Sequence, residues 1–92
     1  MIGGFRHKGL RALFEHDDRS RLPAARISRL RLILAALEAA DHAEDINVHS
    51  FKLHKLRGDM ATYWAVTVRA NWRVTFRFEN GRAVDIDLVD YH

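Results

Sequence analysis

Apolar and polar residues alternate along four short segments between residues 50 and 89, and this alternation limits the possible folds more than any other feature. The segments read SFKLH at 50–54, YWAVTV at 63–68, WRVTFRF at 72–78 and AVDIDLV at 83–89. Successive side chains of a strand point to opposite faces, so a period of two among β-branched and aromatic residues predicts strands. The short connections between the segments favour an antiparallel meander with one apolar face.

Two helical segments precede the predicted strands. The stretch PAARISRLRLILAALEAA at 23–40 begins with a proline, which suits a first helical turn, and is rich in Ala, Leu and Arg. At about 100° per residue, five of its apolar side chains share one sector: Ile27, Leu30, Ile33, Leu34 and Leu37. A shorter helix is predicted over 7–16 and a short first strand near residues 2–5.

A chain of 92 residues has room for one core, so residues 1–92 are expected to form a single domain. The predicted fold class is α+β, with two N-terminal helices packed on one face of a mainly antiparallel β-sheet.

The turns predict how the strands pair. A two-residue loop within the ENG sequence at 79–81 would place Phe76 opposite Asp85, whereas a three-residue loop pairs Phe76 with Val84 and is therefore expected. The same reasoning predicts a three-residue loop over 69–71. The other expected pairs are Val74 with Ile86, Val66 with Val74, Val68 with Trp72, and Arg73 with Asp87. Six strand residues are expected in the core: Trp64, Val66, Trp72, Val74, Phe76 and Ile86.

The charge of the chain favours an anionic partner. Fifteen Lys and Arg residues against twelve Asp and Glu give a net charge of +3, and a polyanion such as nucleic acid or an acidic protein fits this excess.

The chain has no cysteine, which suits a reducing compartment and excludes disulfide and thiolate chemistry. No apolar run reaches the roughly 20 residues that span a bilayer, and no signal peptide is apparent. We therefore expect a cytoplasmic protein without membrane contact. The histidines lack zinc-ligand spacing, so no metal site is expected.

The polar residues of the same strands share the second face of the predicted sheet: Lys52, His54, Thr67, Arg73, Thr75, Arg77, Asp85 and Asp87. A solvated sheet face is one interpretation, and a ligand-binding face is the other. If the last strand brings Tyr91 and His92 near His54, imidazole, phenol and arginine groups converge there. These groups suit RNA cleavage by the 2′-hydroxyl, which requires a base for that hydroxyl, a cation for the phosphorane and an acid for the leaving oxygen.

Strict alternation raises an objection to this interpretation. It places Asp90 and His92 on the core side and only Tyr91 on the polar face. The last residues must therefore leave the regular strand, or only some of them are catalytic.

Four stretches of the chain together resemble the HigB-type toxins of the RelE superfamily. They are FRHKGLRALFE at 5–15, KLHKLRGD at 52–59, YWAVTVRANWRVTFRF at 63–78 and DYH at 90–92. The resemblance implies a RelE-like fold and the toxin of a type II toxin–antitoxin pair, acting as a ribosome-dependent mRNA endoribonuclease that inhibits translation. It implies cleavage without metal or cofactor. The superfamily also contains gyrase inhibitors that cut no RNA, and such a toxin is the alternative.

The resemblance also implies which residues form the site. His54, Asp90, Tyr91 and His92 match the catalytic residues, and Arg73 matches a residue that holds phosphate. Asp90 or His54 is expected to be the general base, His92 the general acid, and Tyr91 to orient or stack a base. The residues expected to bind RNA are Lys52, Lys55, Arg57, Arg69 and Arg77.

Lys55 and Arg57 depart from the usual family pattern, in which proline and lysine often occupy these positions. Both changes keep or add positive charge. The implied partners are a helix-turn-helix antitoxin of the HigA type, the ribosome and mRNA, with operator DNA contacted only through the antitoxin complex.

Overall fold

The computed structural model describes residues 1–46 and 48–91 and confirms the predicted α+β class. Two helices, α1 over Lys8–His16 and α2 over Ile27–Ala39, precede a sheet of four antiparallel strands in the order β1-β2-β3-β4. The strands are β1 over His54–Lys55, β2 over Trp64–Arg69, β3 over Trp72–Glu79 and β4 over Arg82–Asp90. None of the helices in the described part of the chain is long and apolar enough to cross a bilayer.

Local signals define both helices. His7 is the N-cap of α1, where its side chain accepts a hydrogen bond from the backbone N–H of Leu10. Asp17 ends this helix in the left-handed conformation. Pro23 precedes a 3₁₀ turn over Ala24–Arg26 that leads directly into α2. The predicted apolar stripe of α2 is buried, with no member more than 3% exposed.

The loop between β2 and β3 has two residues, so the predicted three-residue loop is wrong. Arg69 pairs with Trp72 across this loop, and Ala70, its first residue, has a φ of 50°. The register shifts between Thr67 and Arg69, which makes Val68 the extra residue of a β-bulge. The predicted pair of Val68 with Trp72 is therefore absent.

The loop between β3 and β4 also has two residues, in place of the predicted three. Glu79 pairs with Arg82, and Asn80 and Gly81 between them have φ values of 54° and 77°. Positive φ at both positions is the geometry for which Asn-Gly is the preferred sequence. The local preference of this dipeptide therefore determines the loop.

With a two-residue loop and regular pairing, the apolar side chains of β4 beyond Val84 would face away from the core. A second bulge returns them to the core side. Asp85 has a φ of 52°, and the register shifts opposite this residue, between Thr75 and Arg77 of β3. Arg77, and not Phe76, is thus the partner of Val84. Two further predicted pairs are wrong, because the partners of Val74 and Arg73 are Leu88 and Val89.

Five of the six predicted core strand residues pack into the core beneath α2. Val66 pairs with Val74 as predicted. Val66, Val74, Phe76 and Ile86 are fully buried, and Trp64 packs against them half-buried. The prediction for Trp72 is wrong, since this side chain is 40% exposed. It lies at the hairpin end of the sheet, where it lines a pocket together with Pro23 and Leu30.

The segments at both edges of the sheet are less regular than predicted. Instead of a strand over 50–54, a 3₁₀ turn over His49–Phe51 precedes the two-residue strand β1. Near the N-terminus, Ile2 and Phe5 form isolated parallel bridges to Ala83 and Ile86. These bridges cover the first half of the outer edge of β4, at Ala83 and Ile86, where backbone groups would otherwise be unpaired.

Candidate active site

The pairing of the strands places His54 in a row of residues that crosses the whole sheet. His54 pairs with Ala65, Ala65 with Thr75, and Thr75 with Asp87, so the four side chains share the face opposite the helices. Ala65 and Thr75 are 0% and 2% exposed. The centre of this face therefore consists of small buried side chains, so the interpretation as a solvated face does not hold at Thr75.

A backbone carbonyl orients the imidazole of His54. The Nδ1 atom lies 3.0 Å from the carbonyl oxygen of Lys52. A carbonyl oxygen only accepts hydrogen bonds, so Nδ1 carries the proton in this geometry and Nε2 of the neutral ring keeps its lone pair. Lys52 has a φ of 51°, in the left-handed region that non-glycine residues rarely adopt. The backbone is thus locally strained at the residue whose carbonyl contacts this imidazole.

Arg73 lies on the same face as His54, one row closer to the β2–β3 hairpin. It pairs with Thr67 on one side and Val89 on the other. One terminal nitrogen of its guanidinium donates to the carbonyl oxygens of Ala70 and Trp72, the latter at 3.1 Å. The cation is therefore held at the hairpin loop by neutral acceptors.

The last described residues continue the sheet beside this hairpin. Asp90 pairs with Trp72, so β4 stays regular through Asp90 and does not turn away before it. Tyr91 is exposed, and its backbone N–H donates to the carbonyl of Asn71 at 2.9 Å. Alternation places Tyr91 on the side of Arg73 and Asp90 on the side of Trp72. His92, the predicted general acid, lies outside the described residues.

The predicted RNA-binding residues divide into two groups. Lys52, Arg57 and Arg69 are exposed, with Lys52 and Arg57 flanking β1 and Arg69 at the end of β2. Lys55 and Arg77 are already engaged. The ammonium group of Lys55 lies over the ring of Trp64, 5.9 Å from its centroid. Because neighbouring residues of a strand face opposite ways, Lys55 points away from the His54 face.

Arg77 belongs to a polar cluster on the His54 face together with Asp85 and Tyr63. Neither of these two residues was in the predicted site. The Nε atom of Arg77 lies 2.8 Å from a carboxylate oxygen of Asp85, and the Tyr63 hydroxyl donates to the same oxygen at 3.0 Å. A second guanidinium nitrogen of Arg77 lies 3.2 Å from Glu79. The hydrogen bond from Arg77 holds the pKa of the Asp85 carboxyl below its ordinary value of 3.8, against the opposing effect of burial and with help from Tyr63.

The position of Tyr63 in the sequence contained a signal for this cluster. Tyr63 precedes β2 and has the same parity as Ala65, which places it on the polar face. Its contact with Asp85 depends on the bulge, however, and the alternation alone does not predict that.

The described residues contain no group of three or more His, Asp or Glu side chains arranged to hold a metal ion. The side chains of the polar face instead offer an oriented imidazole, a guanidinium and a phenol, and these groups are suited to proton transfer and to binding a phosphate.

A family model for HigB-like toxins, described as RelE-like toxins of type II toxin–antitoxin systems, matches residues 3–92. The chain belongs to this family. It is also 46% identical over 92 residues to the endoribonuclease HigB of Proteus vulgaris, and the match covers 100% of both chains. These two matches confirm the predicted toxin family and endoribonuclease class.

Among solved structures, the fold resembles a YoeB/ParE toxin from Agrobacterium tumefaciens, with a TM-score of 0.59 and 19% identity. The match covers 100% of this chain and 99% of that one. At this low identity the comparison shows the fold alone, and the fold is the predicted RelE-like one. As a type II toxin, the HigB-like chain has an antitoxin as its partner.

Proposed function

We propose that this HigB-like toxin cuts mRNA on the ribosome by attack of a 2′-hydroxyl on the neighbouring phosphate. The observation that carries the proposal is the contact of His54 Nδ1 with the Lys52 carbonyl, which leaves Nε2 of this exposed side chain as the nitrogen that can act as a base. Arg73 supplies a cation on the same face, one row away. A positioned base together with a phosphate-binding cation supports this cleavage without a metal ion.

In the proposed reaction, Nε2 of His54 removes the proton of the 2′-hydroxyl as its oxygen forms a bond to phosphorus. The guanidinium of Arg73 stabilises the negative charge that develops on the phosphorane oxygens. The bond from phosphorus to the 5′ oxygen breaks, and that oxygen receives a proton from the acid. The products are a 2′,3′-cyclic phosphate and a 5′-hydroxyl, and protons and electrons balance without any further reactant.

The C-terminal residues have separate roles in this proposal. Tyr91 lies on the face of Arg73, beside Asn71, and orients or stacks a nucleotide base. His92 is the proposed acid. Asp90 lies on the side of Trp72, so we assign it to holding the C-terminal segment in place and assign the role of base to His54.

The exposed cations around β1 and the β2–β3 hairpin are the proposed RNA-binding surface. Lys52, Arg57 and Arg69 have exposed side chains there, and neutralising RNA phosphates with such groups releases counterions. Lys55 and Arg77 contribute less directly, because Lys55 lies over Trp64 and Arg77 is paired with Asp85.

The proposed partners follow from the family. The antitoxin is a helix-turn-helix protein of the HigA type, and operator DNA is contacted only through the complex with it. Action on ribosomes places the toxin in the cytoplasm.

The test is a cleavage assay with purified toxin, ribosomes stalled on a defined mRNA, and the same mRNA without ribosomes. We expect cuts only in the ribosome-bound mRNA, with 2′,3′-cyclic phosphate and 5′-hydroxyl ends, because both ends follow from 2′-hydroxyl attack. Ends that carry a 5′-phosphate would contradict the mechanism. Intact mRNA together with inhibition of gyrase in a supercoiling assay would favour the non-nucleolytic alternative.

A further inference from the structure

Arg29 of helix α2 connects three parts of the chain beneath the segment that leads to His54. One terminal nitrogen of its guanidinium lies 3.0 Å from the hydroxyl of Ser50, and the other lies 2.6 Å from the Ser50 carbonyl oxygen. This second nitrogen also donates to the carbonyl of Thr67 at 2.9 Å. Thr67 precedes the bulge of β2, where the ladder of backbone hydrogen bonds is interrupted. A single side chain thus fixes the 49–51 turn to both α2 and β2.

The aromatic ring of the next residue strengthens this connection. The guanidinium carbon of Arg29 lies 4.7 Å from the centroid of the Phe51 ring, and Phe51 is fully buried. A cation over a buried ring is attracted to its face and adds to the hydrogen bonds. Arg29 therefore holds Ser50 by hydrogen bonds and Phe51 by a contact with its ring.

This fixed turn directly precedes the residue that orients His54. Lys52 follows Phe51 in the left-handed conformation, and its carbonyl receives the hydrogen bond from Nδ1 of His54. A strained backbone persists only where its surroundings hold it in place. The contacts of Arg29 hold the chain segment that directly precedes Lys52.

We infer that Arg29 is a positioning residue, which fixes the tautomer and direction of the His54 imidazole through Ser50, Phe51 and the Lys52 carbonyl. This inference rests on the proposed function for the role of His54 as the base. The contacts of Arg29 are with Ser50, Phe51 and Thr67, so its proposed action on His54 is indirect. The acceptors of its hydrogen bonds are neutral oxygens. Arg29 therefore holds the turn through the fixed geometry of its guanidinium N–H groups and not through an ion pair.

The experiment compares Arg29→Met with the parent toxin and with Arg31→Met. Methionine keeps an unbranched apolar stem and removes the fork. Arg31 lies on the same helix and forms a surface ion pair with Asp17, so its substitution is the matched control. The first measurement is the ¹⁵N NMR spectrum of the histidine rings, in which the His54 signals are identified by their absence in His54→Gln. The second is kcat and KM for cleavage of ribosome-bound mRNA.

We expect the parent and Arg31→Met to show one neutral His54 tautomer, with the proton on Nδ1. Arg29→Met should show a mixture of both tautomers, and its kcat should fall roughly 10- to 100-fold while KM changes little, because a misplaced base impairs the chemical step. An unchanged tautomer in Arg29→Met would overturn the inference. A mixed tautomer with an unchanged kcat would also overturn it.

A second variant decides the matter if Arg29→Met does not fold. Arg29→Lys keeps the charge and the stem but has one nitrogen, which cannot reach Ser50 and Thr67 as the fork does. We expect the same mixture of tautomers, and an unchanged tautomer would overturn the inference. The NMR result does not depend on cleavage, so a parent toxin that cuts no RNA would refute the proposed function without deciding the positioning role.

Discussion

The Nε atom of Arg77 lies 2.8 Å from the carboxylate of Asp85, the residue that forms the bulge in β4. Asp85 has a φ of 52°, in the left-handed region that Asp and Asn adopt more readily than other residues with a side chain. Hydrogen bonds from Arg77 and Tyr63 to one carboxylate oxygen hold it there. The bulge in turn sets the register of the last part of β4, which carries Asp90 and leads to Tyr91.

Replacing Asp85 with asparagine should lower the thermal midpoint most at neutral pH. The pKa of Asp85 is lowered in the folded protein, so the stabilisation is present above the ordinary pKa of 3.8 and is lost as the pH falls through the lowered value. The difference in midpoint between parent and Asp85→Asn should therefore shrink as the pH falls below 4. Thermal unfolding between pH 3 and pH 7 measures it. A difference that stays constant over this range would refute the role of the Asp85 charge, and exposed Glu44→Gln is the control.

Ile33→Ala should destabilise the fold by roughly 2 to 5 kcal/mol, because the substitution removes a buried side chain and leaves a cavity. Ile33 is fully buried where α2 packs on the sheet. Leu32 is the neighbouring residue of the same helix and is 54% exposed, so Leu32→Ala should change the free energy of unfolding by less than about 0.5 kcal/mol. Urea unfolding of both variants provides the comparison. Equal losses of unfolding free energy would contradict the assignment of Ile33 to the buried face of α2 and Leu32 to its exposed face.

The two hairpin loops should respond in opposite directions to exchange of glycine and alanine. Gly81 has a φ of 77°, so Gly81→Ala should cost about 1 kcal/mol. Ala70 has a φ of 50°, so Ala70→Gly should relieve strain and raise the free energy of unfolding by up to about 1 kcal/mol. Equilibrium unfolding in urea measures both. A loss of stability in Ala70→Gly equal to that in Gly81→Ala would contradict the positive φ described for Ala70.

Arg69 should contribute to the salt dependence of ribosome binding. It is an exposed cation at the β2–β3 hairpin, so Arg69→Gln should weaken binding and reduce the slope of log K against log salt by about 0.7 to 0.9, the effect of one phosphate contact. Arg82 is also exposed but lies at the opposite hairpin, so Arg82→Gln should leave the slope unchanged. Binding titrations at several salt concentrations test this. Equal slopes for the parent and Arg69→Gln would place the RNA-binding surface elsewhere.

The helices and the core could be predicted because the periodicity is strong there. The stripe from Ile27 to Leu37 follows directly from the spacing of apolar residues. The pair of Val66 with Val74 was predicted correctly from a three-residue loop, and the structure forms it with a two-residue loop and a bulge at Val68. The loops could not be predicted in the same way. A longer loop and a bulge both restore the alternation of β4, and the sequence pattern alone does not distinguish the loop predicted at Gly81 from the bulge found at Asp85.

The candidate site was predicted as a set of residues but not as a geometry. The resemblance to HigB-type toxins predicted His54 and Arg73 as site residues, and the strand pairing places both on one face. The orientation of His54 depends on the left-handed backbone of Lys52 and on the hydrogen bonds of Arg29 to Ser50. The contact of Arg29 with Ser50 joins residues that are 21 positions apart, and the left-handed backbone of Lys52 falls at a residue type that rarely adopts it. Neither feature follows from the alternation of the strands.

The most direct test of the central claim is to map mRNA 5′ ends in cells after induction of the parent toxin or of His54→Gln. Removing a proton-transfer group lowers the rate about 10² to 10⁴-fold. His54 is exposed and lies on an edge strand, so its replacement should leave the fold intact. We predict new 5′ ends in phase with codons of translated messages for the parent toxin and none above background for His54→Gln. Equal cutting by both proteins, or growth arrest by the parent without new mRNA ends, would contradict the proposal.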